Sequence, residues 1–361
     1  MNYPHTDSEI QAFRSALLSW FAQYGRDLPW RHTKDPYIIW VSEVILQQTQ
    51  IVQGIDYFHR ITERFPDVAS LAAAPVEELL LLWQGLGYYS RAHNMHHAAK
   101  QVMSDFEGVF PREAREVASL KGVGPYTTAA IMSIAYDEPM AVVDGNVYRV
   151  LSRLTASPVP IDTGKGQRHY WELAQAYISP TDPSHYNQGI MDLGAMICTP
   201  LSPKCDACPV APYCKSRGNE ELIGMLPIKE KKVKVTPLYM DYFLVLVGSD
   251  FYTEQRDQKG IWKGLYQFPL IESTTSHLSD LQLQQHITER GWRLTETIEL
   301  PPHRLTHRLV SIRVHVCHAD RKGDPADAYQ LNPIDQHREL AFPRPLRTFL
   351  NTYFKAKPAH H

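Results

Sequence analysis

Four of the five cysteines fall within 17 residues, spaced as Cys198-x6-Cys205-x2-Cys208-x5-Cys214. Four thiolates on one short loop stiffened by Pro200, Pro203, Pro209 and Pro212 can converge on a single metal centre. Zinc accepts four thiolates, but structural zinc sites usually pair two separated C-x2-4-C knuckles. This loop has one knuckle flanked by lone cysteines, which suits a four-iron cluster better and leaves zinc as the alternative. The odd, clustered count also argues against a disulfide scaffold and for a reducing compartment. Cys317 stands apart and reads as an ordinary strand residue.

A second chemistry-bearing segment is Leu120-Lys-Gly-Val-Gly-Pro-Tyr126, between two helical patterns. Gly122 and Gly124 allow positive φ and bring bare backbone N–H groups forward around Val123. At a helix start such donors can grip an anion, for instance a DNA phosphate, without a basic patch. Taken alone, the pattern is also that of an ordinary turn between helices. Two carboxylates add to it. Asp144, in Val142-Val-Asp-Gly-Asn-Val-Tyr-Arg149, precedes a helical run and can either cap that helix or serve a site. Glu43, in Trp40-Val-Ser-Glu-Val-Ile-Leu-Gln-Gln-Thr49, is flanked by Val44 and Ile45, so desolvation can raise its pKa and keep it protonated near neutral pH.

Helices must carry these groups. Phe13, Leu17, Leu18, Trp20 and Phe21 recur at helical spacing, as do Val41, Val44, Ile45 and Gln48. Further helical patterns lie near 76–84, 91–106, 113–120, 126–136, 144–154, 166–178 and 184–197. The stretch 226–237, LPIKEKKVKVTP, reads as an extended, solvated linker. Beyond it the period becomes two: Tyr242, Leu244 and Leu246 alternate with their neighbours, as do Val310, Ile312, Val314 and Val316, with one helix near 278–290. The 361 residues thus divide into a mainly α region, 1–225, the linker, and a small α+β domain, 238–361.

Bulk composition limits the alternatives. With 43% apolar and 21% charged residues, the chain is neither disordered nor collagen-like. No apolar run approaches a membrane span, and the start MNYPHTDSEI lacks the features of a secretory signal, so a cytoplasmic protein is expected. Residues 1–225 carry 18 Lys and Arg against 24 Asp and Glu, and the remainder 19 against 15. A pI near 6.8 offers no global basic footprint. A nucleic-acid partner must therefore be argued from local motifs.

Those motifs resemble the MutY-type adenine DNA glycosylases of the helix-hairpin-helix superfamily. The matching segments are LPWR at 28–31, SEVILQQTQ at 42–50, GLGYYSRA at 85–92, LKGVGPYTTAA at 120–130, VVDGNVYRVLSR at 142–153, NQGIMDLGAMIC at 187–198 and the cysteine loop at 198–214. The resemblance implies a [4Fe-4S] cluster on Cys198, Cys205, Cys208 and Cys214. It implies Glu43 as the acid that protonates adenine, Asp144 as stabiliser of the cationic sugar, and Tyr126 and Asn146 as hydrogen-bonding partners at the reaction centre. Trp30, Arg31 and Gln188 would surround the flipped adenine. Gln48, Leu86 and Tyr88 would contact the opened duplex, Gly122, Val123 and Gly124 its backbone, and Lys204 a phosphate.

The implied substrate is double-stranded DNA with adenine opposite 8-oxoguanine or guanine, bound by a monomer. Endonuclease III relatives carry a lysine in place of Tyr126 and use it to form a Schiff base, so the tyrosine implies a glycosylase without strand cleavage. A glycosylase/lyase and a catalytically silent damage-binding protein are the competing readings. The C-terminal domain is similar to the family's Nudix-like reader of 8-oxoguanine, most visibly in GIWKGLYQFP at 260–269. Residues 285–291 offer only Glu289 where a Nudix hydrolase needs a carboxylate cluster, which implies recognition without hydrolysis. Where the family reads the lesion with Phe-Ser-His, this chain has Leu305, Thr306 and His307: hydroxyl and imidazole remain and the aromatic ring is gone.

Overall fold

The computed structural model describes residues 4–231, 234–256, 260–320 and 329–356. They form two compact units, one within Met1–Ala73 and Asn94–Lys232, the other within Ala74–His93 and Val233–His361. The N-terminal region folds as α1 (Asp7–Tyr24), α2 (Pro36–Leu46), α3 (Ile51–Arg64), α4 (Val68–Ala73), α5 (Val76–Leu82), α6 (Ser90–Asp105), α7 (Ala114–Ser119), α8 (Pro125–Ala135), α9 (Gly145–Thr155), α10 (Gly164–Tyr177), α11 (Pro183–Met196) and α12 (Glu220–Met225). Local chemistry fixes the starts. Thr6 and Glu9 form a capping box on α1, and Asp35 accepts from the Tyr37 N–H ahead of α2, whose first residue is proline.

Helix α11 packs against α1, α8 and α9, and α2 packs against α8 and α3. In consequence α2 buries Tyr37 and every residue from Ile39 to Ile45, so Glu43 is carried into the core on a helix with almost no wet face. Seven of the helices start and stop within two residues of where their periodicity places them. Three differences matter. The α2 helix ends at Leu46, so Gln48 lies beyond it, at φ 58°, instead of on its face. The α3 and α4 helices have no counterpart among the sequence patterns. Within α3, Gly54 weakens the helical signal but lets the helix pack closely, since an added Cβ would come 2.8 Å from Leu46 Cδ2.

The second unit is built on a seven-stranded sheet of β1 (Thr236–Val247), β2 (Asp250–Gln255), β3 (Tyr266–Gln267), β4 (Leu270–Ser273), β5 (Arg293–Arg304), β6 (Arg308–His318) and β7 (Gln330–Pro333). The order is β3-β2-β1-β6-β5, with β4 paired to β1, β7 paired to β2, and β1 parallel to β6. Strand β1 is buried on both faces. Met240, Tyr242 and Leu244 join Val310, Ile312, Val314 and Val316 under Phe342, Leu346, Phe349 and Leu350. Phe243, Val245 and Val247 join Cys317 under Leu283, Ile287 and Trp292. A sheet apolar on both faces needs cover on both, and two helices stand where the sequence pattern suggests one: α13 (Asp280–Glu289) and α14 (Arg344–Ala356). The 74–93 segment belongs to this unit, where Gln84 donates to the Phe342 carbonyl at 3.0 Å and the His93 ring lies 3.2 Å from the Lys263 carbonyl. Of the linker stretch, residues 232 and 233 lie outside the described residues.

Candidate active site and cysteine loop

A cleft of about 680 Å³ opens in the helical unit and brings together residues spread over 160 positions. Glu43, Tyr126, Asp144, Asn146, Trp30, Arg31, Gln188, Gln48, Gly122 and Gly124 all line it. Glu43 comes from the middle of α2, Tyr126 from the first turn of α8, Asp144 from the cap of α9 and Gln188 from α11. Trp30 and Arg31 sit on the short turn before α2, Trp30 edge-on to Phe58 and the Arg31 guanidinium 5.1 Å from the Phe21 ring centre.

Glu43 is 6% exposed, and Tyr126 donates its hydroxyl to Glu43 Oε2 at 2.8 Å. Burial pushes the Glu43 carboxyl up to about 7; the Tyr126 hydrogen bond and the charge of Arg31 pull the other way, and the nearby Asp144 carboxylate adds to the rise. The Tyr126 phenol is itself pushed well above its ordinary range, by burial and by Glu43, so it remains a donor. The result is a carboxylic acid poised to exchange its proton near neutral pH, which is where a general acid works best.

Asp144 both caps and faces the cleft. Its Oδ1 accepts from the Val147 N–H at 2.7 Å and its Oδ2 from Asn146 Nδ2 at 2.9 Å. Burial raises its pKa, while those hydrogen bonds and the charge of Arg149 favour the anion. Arg149 in turn donates to Asn146 Oδ1 (2.8 Å), the Gly194 carbonyl (2.6 Å) and the Cys198 carbonyl (2.6 Å). One guanidinium thus spans the capping loop, α11 and the first cysteine. Capping α9 and facing the cleft are thus compatible at Asp144.

Sequence patterns did not single out Arg26, Arg149, Met191 or Asp192. Arg26 and Met191 line the cleft, and Met191 Sδ lies 3.3 Å from the Tyr126 hydroxyl. Asp192 is fully buried and ion-paired to Arg26 and Arg31. Arg149 and Asp192 both lie inside the quoted motifs VVDGNVYRVLSR and NQGIMDLGAMIC, and that membership is the only signal they carry.

At the hairpin, Gly122 has φ +78° and an added Cβ would stand 2.6 Å from the Asn94 side chain, so only glycine fits. Val123 is buried beneath the turn, and Gly124 is the N-cap of α8. Leu86 and Tyr88 are not among the cleft residues. They belong to the second unit, where Leu86 is buried and Tyr88, at φ 48°, is half-exposed. The Tyr88 hydroxyl shares a hydrogen bond of 2.5 Å with Thr306 Oγ1. Leu305, Thr306 and His307 form the turn between β5 and β6, with Thr306 and His307 exposed and Leu305 half-buried.

Cys198, Cys205, Cys208 and Cys214 line one small cavity with Arg153 and Lys204. Arg153 Nη1 approaches Cys198 Sγ at 3.5 Å. Burial raises the thiols of Cys205, Cys208 (to about 12) and Cys214, and each is raised further by its fellow cysteines. Such a donor set fits a cationic centre that stabilises four thiolates together. Among the described residues, no three His, Cys, Asp or Glu side chains gather as ligands of a single metal ion.

Comparison with known proteins defines the class first. Residues 41–176 match the model of the HhH-GPD superfamily base excision DNA repair proteins, residues 198–214 the iron-sulfur binding domain of endonuclease III, and residues 241–352 the NUDIX domain. The chain is thus a helix-hairpin-helix repair protein with an iron–sulfur-binding loop and a β-rich Nudix-like region. Among solved structures, a thermostable thymine-DNA glycosylase superposes with TM-score 0.54 at 30% identity, covering 58% of this chain and 96% of that one. An adenine DNA glycosylase of Buchnera aphidicola (subsp. Baizongia pistaciae) is 35% identical over 272 residues, 75% of this chain and 77% of that protein. The mouse adenine DNA glycosylase is 44% identical over 218 residues, 58% of this chain; the match spans only 42% of the mouse protein. The chain belongs to the adenine DNA glycosylase family. No helix among the described residues is long and apolar enough to cross a membrane.

Proposed function

We propose that this protein excises adenine opposite 8-oxoguanine or guanine from double-stranded DNA, acting as a monomer and without cutting the strand. The observation that carries this reading is the buried Glu43 carboxyl, tuned to about 7 and hydrogen-bonded to Tyr126, in a cleft that also holds Asp144. A base inside a duplex must leave the stack to be reached, and the cleft is large enough to take one. Trp30, Arg31 and Gln188 line the space it would fill.

Glu43 donates its proton to the adenine ring, turning a poor leaving group into a neutral one as the N-glycosidic bond breaks. The sugar becomes oxocarbenium-like, and the Asp144 carboxylate, held by Asn146 and the Val147 N–H, stabilises it electrostatically. Ionised Glu43 then activates the water that completes hydrolysis. A lyase step needs an amine, and among the described residues none that lines the cleft is a lysine. The Gly122–Gly124 hairpin and the exposed Lys204 contact phosphates, Gln48, Leu86 and Tyr88 contact the opened duplex, and Thr306 and His307 read the lesion. The cysteine loop holds a [4Fe-4S] cluster. All four cysteines line one cavity, and a single C-x2-C knuckle flanked by lone cysteines favours a multi-iron centre over zinc.

Single-turnover assays on A:8-oxoguanine, A:G, A:C and thymine-glycol duplexes, with and without alkali, test the reading. Adenine release from the first two, with strand breaks appearing only after alkali, is expected. Strand cleavage without alkali, or preference for thymine glycol, would overturn it.

A further inference from the structure

One buried charge in the helical unit has no part in the chemistry above. Asp192 is fully buried on α11, one turn after Gln188 and next to Met191, both of which line the cleft. Its two oxygens collect five donors. The Arg26 N–H (2.9 Å), Arg26 Nε (2.8 Å) and Arg26 Nη2 supply three, and Arg31 Nη1 (2.8 Å) and Nη2 (2.9 Å) the rest. Arg31 also donates to the Arg26 carbonyl at 2.7 Å, so the two arginines and the aspartate form one rigid knot. Burial opposes the Asp192 anion, but the Arg31 and Arg26 hydrogen bonds outweigh it and hold the carboxyl below its usual range. A knot this complete costs much in desolvation, which fold stability alone seldom justifies.

Its position explains it. Both arginines line the cleft that holds Glu43, and the other titratable side chains lining it are Tyr126 and Asp144. Arg31 already draws the proton off Glu43, and without a counter-charge behind it that pull would grow. We propose that Asp192 is a positioning residue of the base pocket: from behind the cleft it fixes the Arg31 and Arg26 guanidinium groups along the wall and cancels their charge where it faces Glu43. A guanidinium presents donors only, so held there it addresses acceptor atoms on the ring of an extruded base while leaving the neighbouring acid its proton. The inference rests on the base-excising reading of the cleft.

The test is the pH profile of single-turnover adenine release from A:8-oxoguanine duplex, for Asp192→Asn, Asp192→Glu and Arg26→Gln. The same Glu43 midpoint is read without substrate from its carboxyl infrared band, in difference against Glu43→Gln. Removing the negative charge in Asp192→Asn lowers the midpoint by about half a unit or more, a loss of roughly threefold or more at pH 8 that shrinks at pH 5.5. Removing a positive charge in Arg26→Gln, where the side chain is partly exposed and Arg31 still pairs with Asp192, moves the midpoint up. Asp192→Glu keeps the charge and restores the wild-type midpoint. A loss that is uniform across pH, or an Arg26→Gln midpoint that stays put or falls, overturns the proposal even where Asp192→Asn does not fold. Absence of adenine release from the wild-type chain would overturn the functional reading instead, with the infrared midpoints still deciding the role of Asp192.

Discussion

Replacing Glu43 by glutamine should slow adenine release and, at alkaline pH, stabilise the protein. In the folded chain the Glu43 carboxyl holds its proton up to about pH 7, against an ordinary value of 4.5. Between these limits the folded state binds a proton that the unfolded state has released, so stability falls as pH rises through this window. At 1.36 kcal/mol per unit, the shift corresponds to about 3 kcal/mol lost once pH exceeds both values. Glu43→Gln removes that titration, and its amide oxygen can still accept from Tyr126. Urea unfolding of the two proteins should therefore coincide near pH 4 and diverge by about 3 kcal/mol in favour of Glu43→Gln at pH 8.5. Adenine release should fall by about 10²-fold or more, the usual contribution of a general acid, with duplex binding kept. A stability difference independent of pH, or a variant less stable than wild type at pH 8.5, would refute the claim that burial tunes this acid.

Asp144→Asn should slow adenine release by about 10²–10³-fold while changing stability by less than about 1 kcal/mol, because asparagine still caps α9; near-wild-type turnover would leave Asp144 as a cap alone. Cys208→Ser should abolish absorbance near 400 nm and lower iron content and DNA affinity together, and full iron content would contradict a four-cysteine ligand set. Thr306→Ala combined with His307→Ala should cut the preference for A:8-oxoguanine over A:G by about 1–3 kcal/mol, measured as a ratio of single-turnover rates, with little change on A:G. Equal losses on both substrates would move lesion reading elsewhere.

Most of the cleft was legible because its residues sit in dense local motifs whose types imply chemistry: glycines at the hairpin, a carboxylate before a helix, another on an apolar face. What escaped was set by distance along the chain. Asp192 reads as one acidic residue in an amphipathic helix, and only folding reveals that its partners Arg26 and Arg31 lie more than 160 positions away. Arg149 was equally silent, since nothing in its neighbourhood announces a hydrogen bond to the Cys198 carbonyl. In the fold, periodicity found helices with one clean apolar face. It did not pick out α3, although Tyr57, Phe58 and Ile61 share one buried face, or α14, although Leu346, Phe349, Leu350, Tyr353 and Phe354 recur at helical spacing; in both, the apolar face is legible and was passed over. Gln48 had the right spacing for α2, but its positive φ is a tertiary outcome.

The membership of 74–93 in the sheet-bearing unit has a consequence for how this protein is made. During synthesis that segment emerges some 250 residues before Phe342, whose carbonyl accepts from Gln84. At 5–20 residues per second the wait is roughly 10–50 s. Tyr88 waits about 220 residues for Thr306 and His93 about 170 for the Lys263 carbonyl, while the helices on either side are already available to pack. The second unit can therefore close only once the ribosome has delivered Phe342. A stalled or prematurely terminated product would carry Leu79, Leu80 and Trp83, all buried in the finished protein, on a segment still waiting for its sheet.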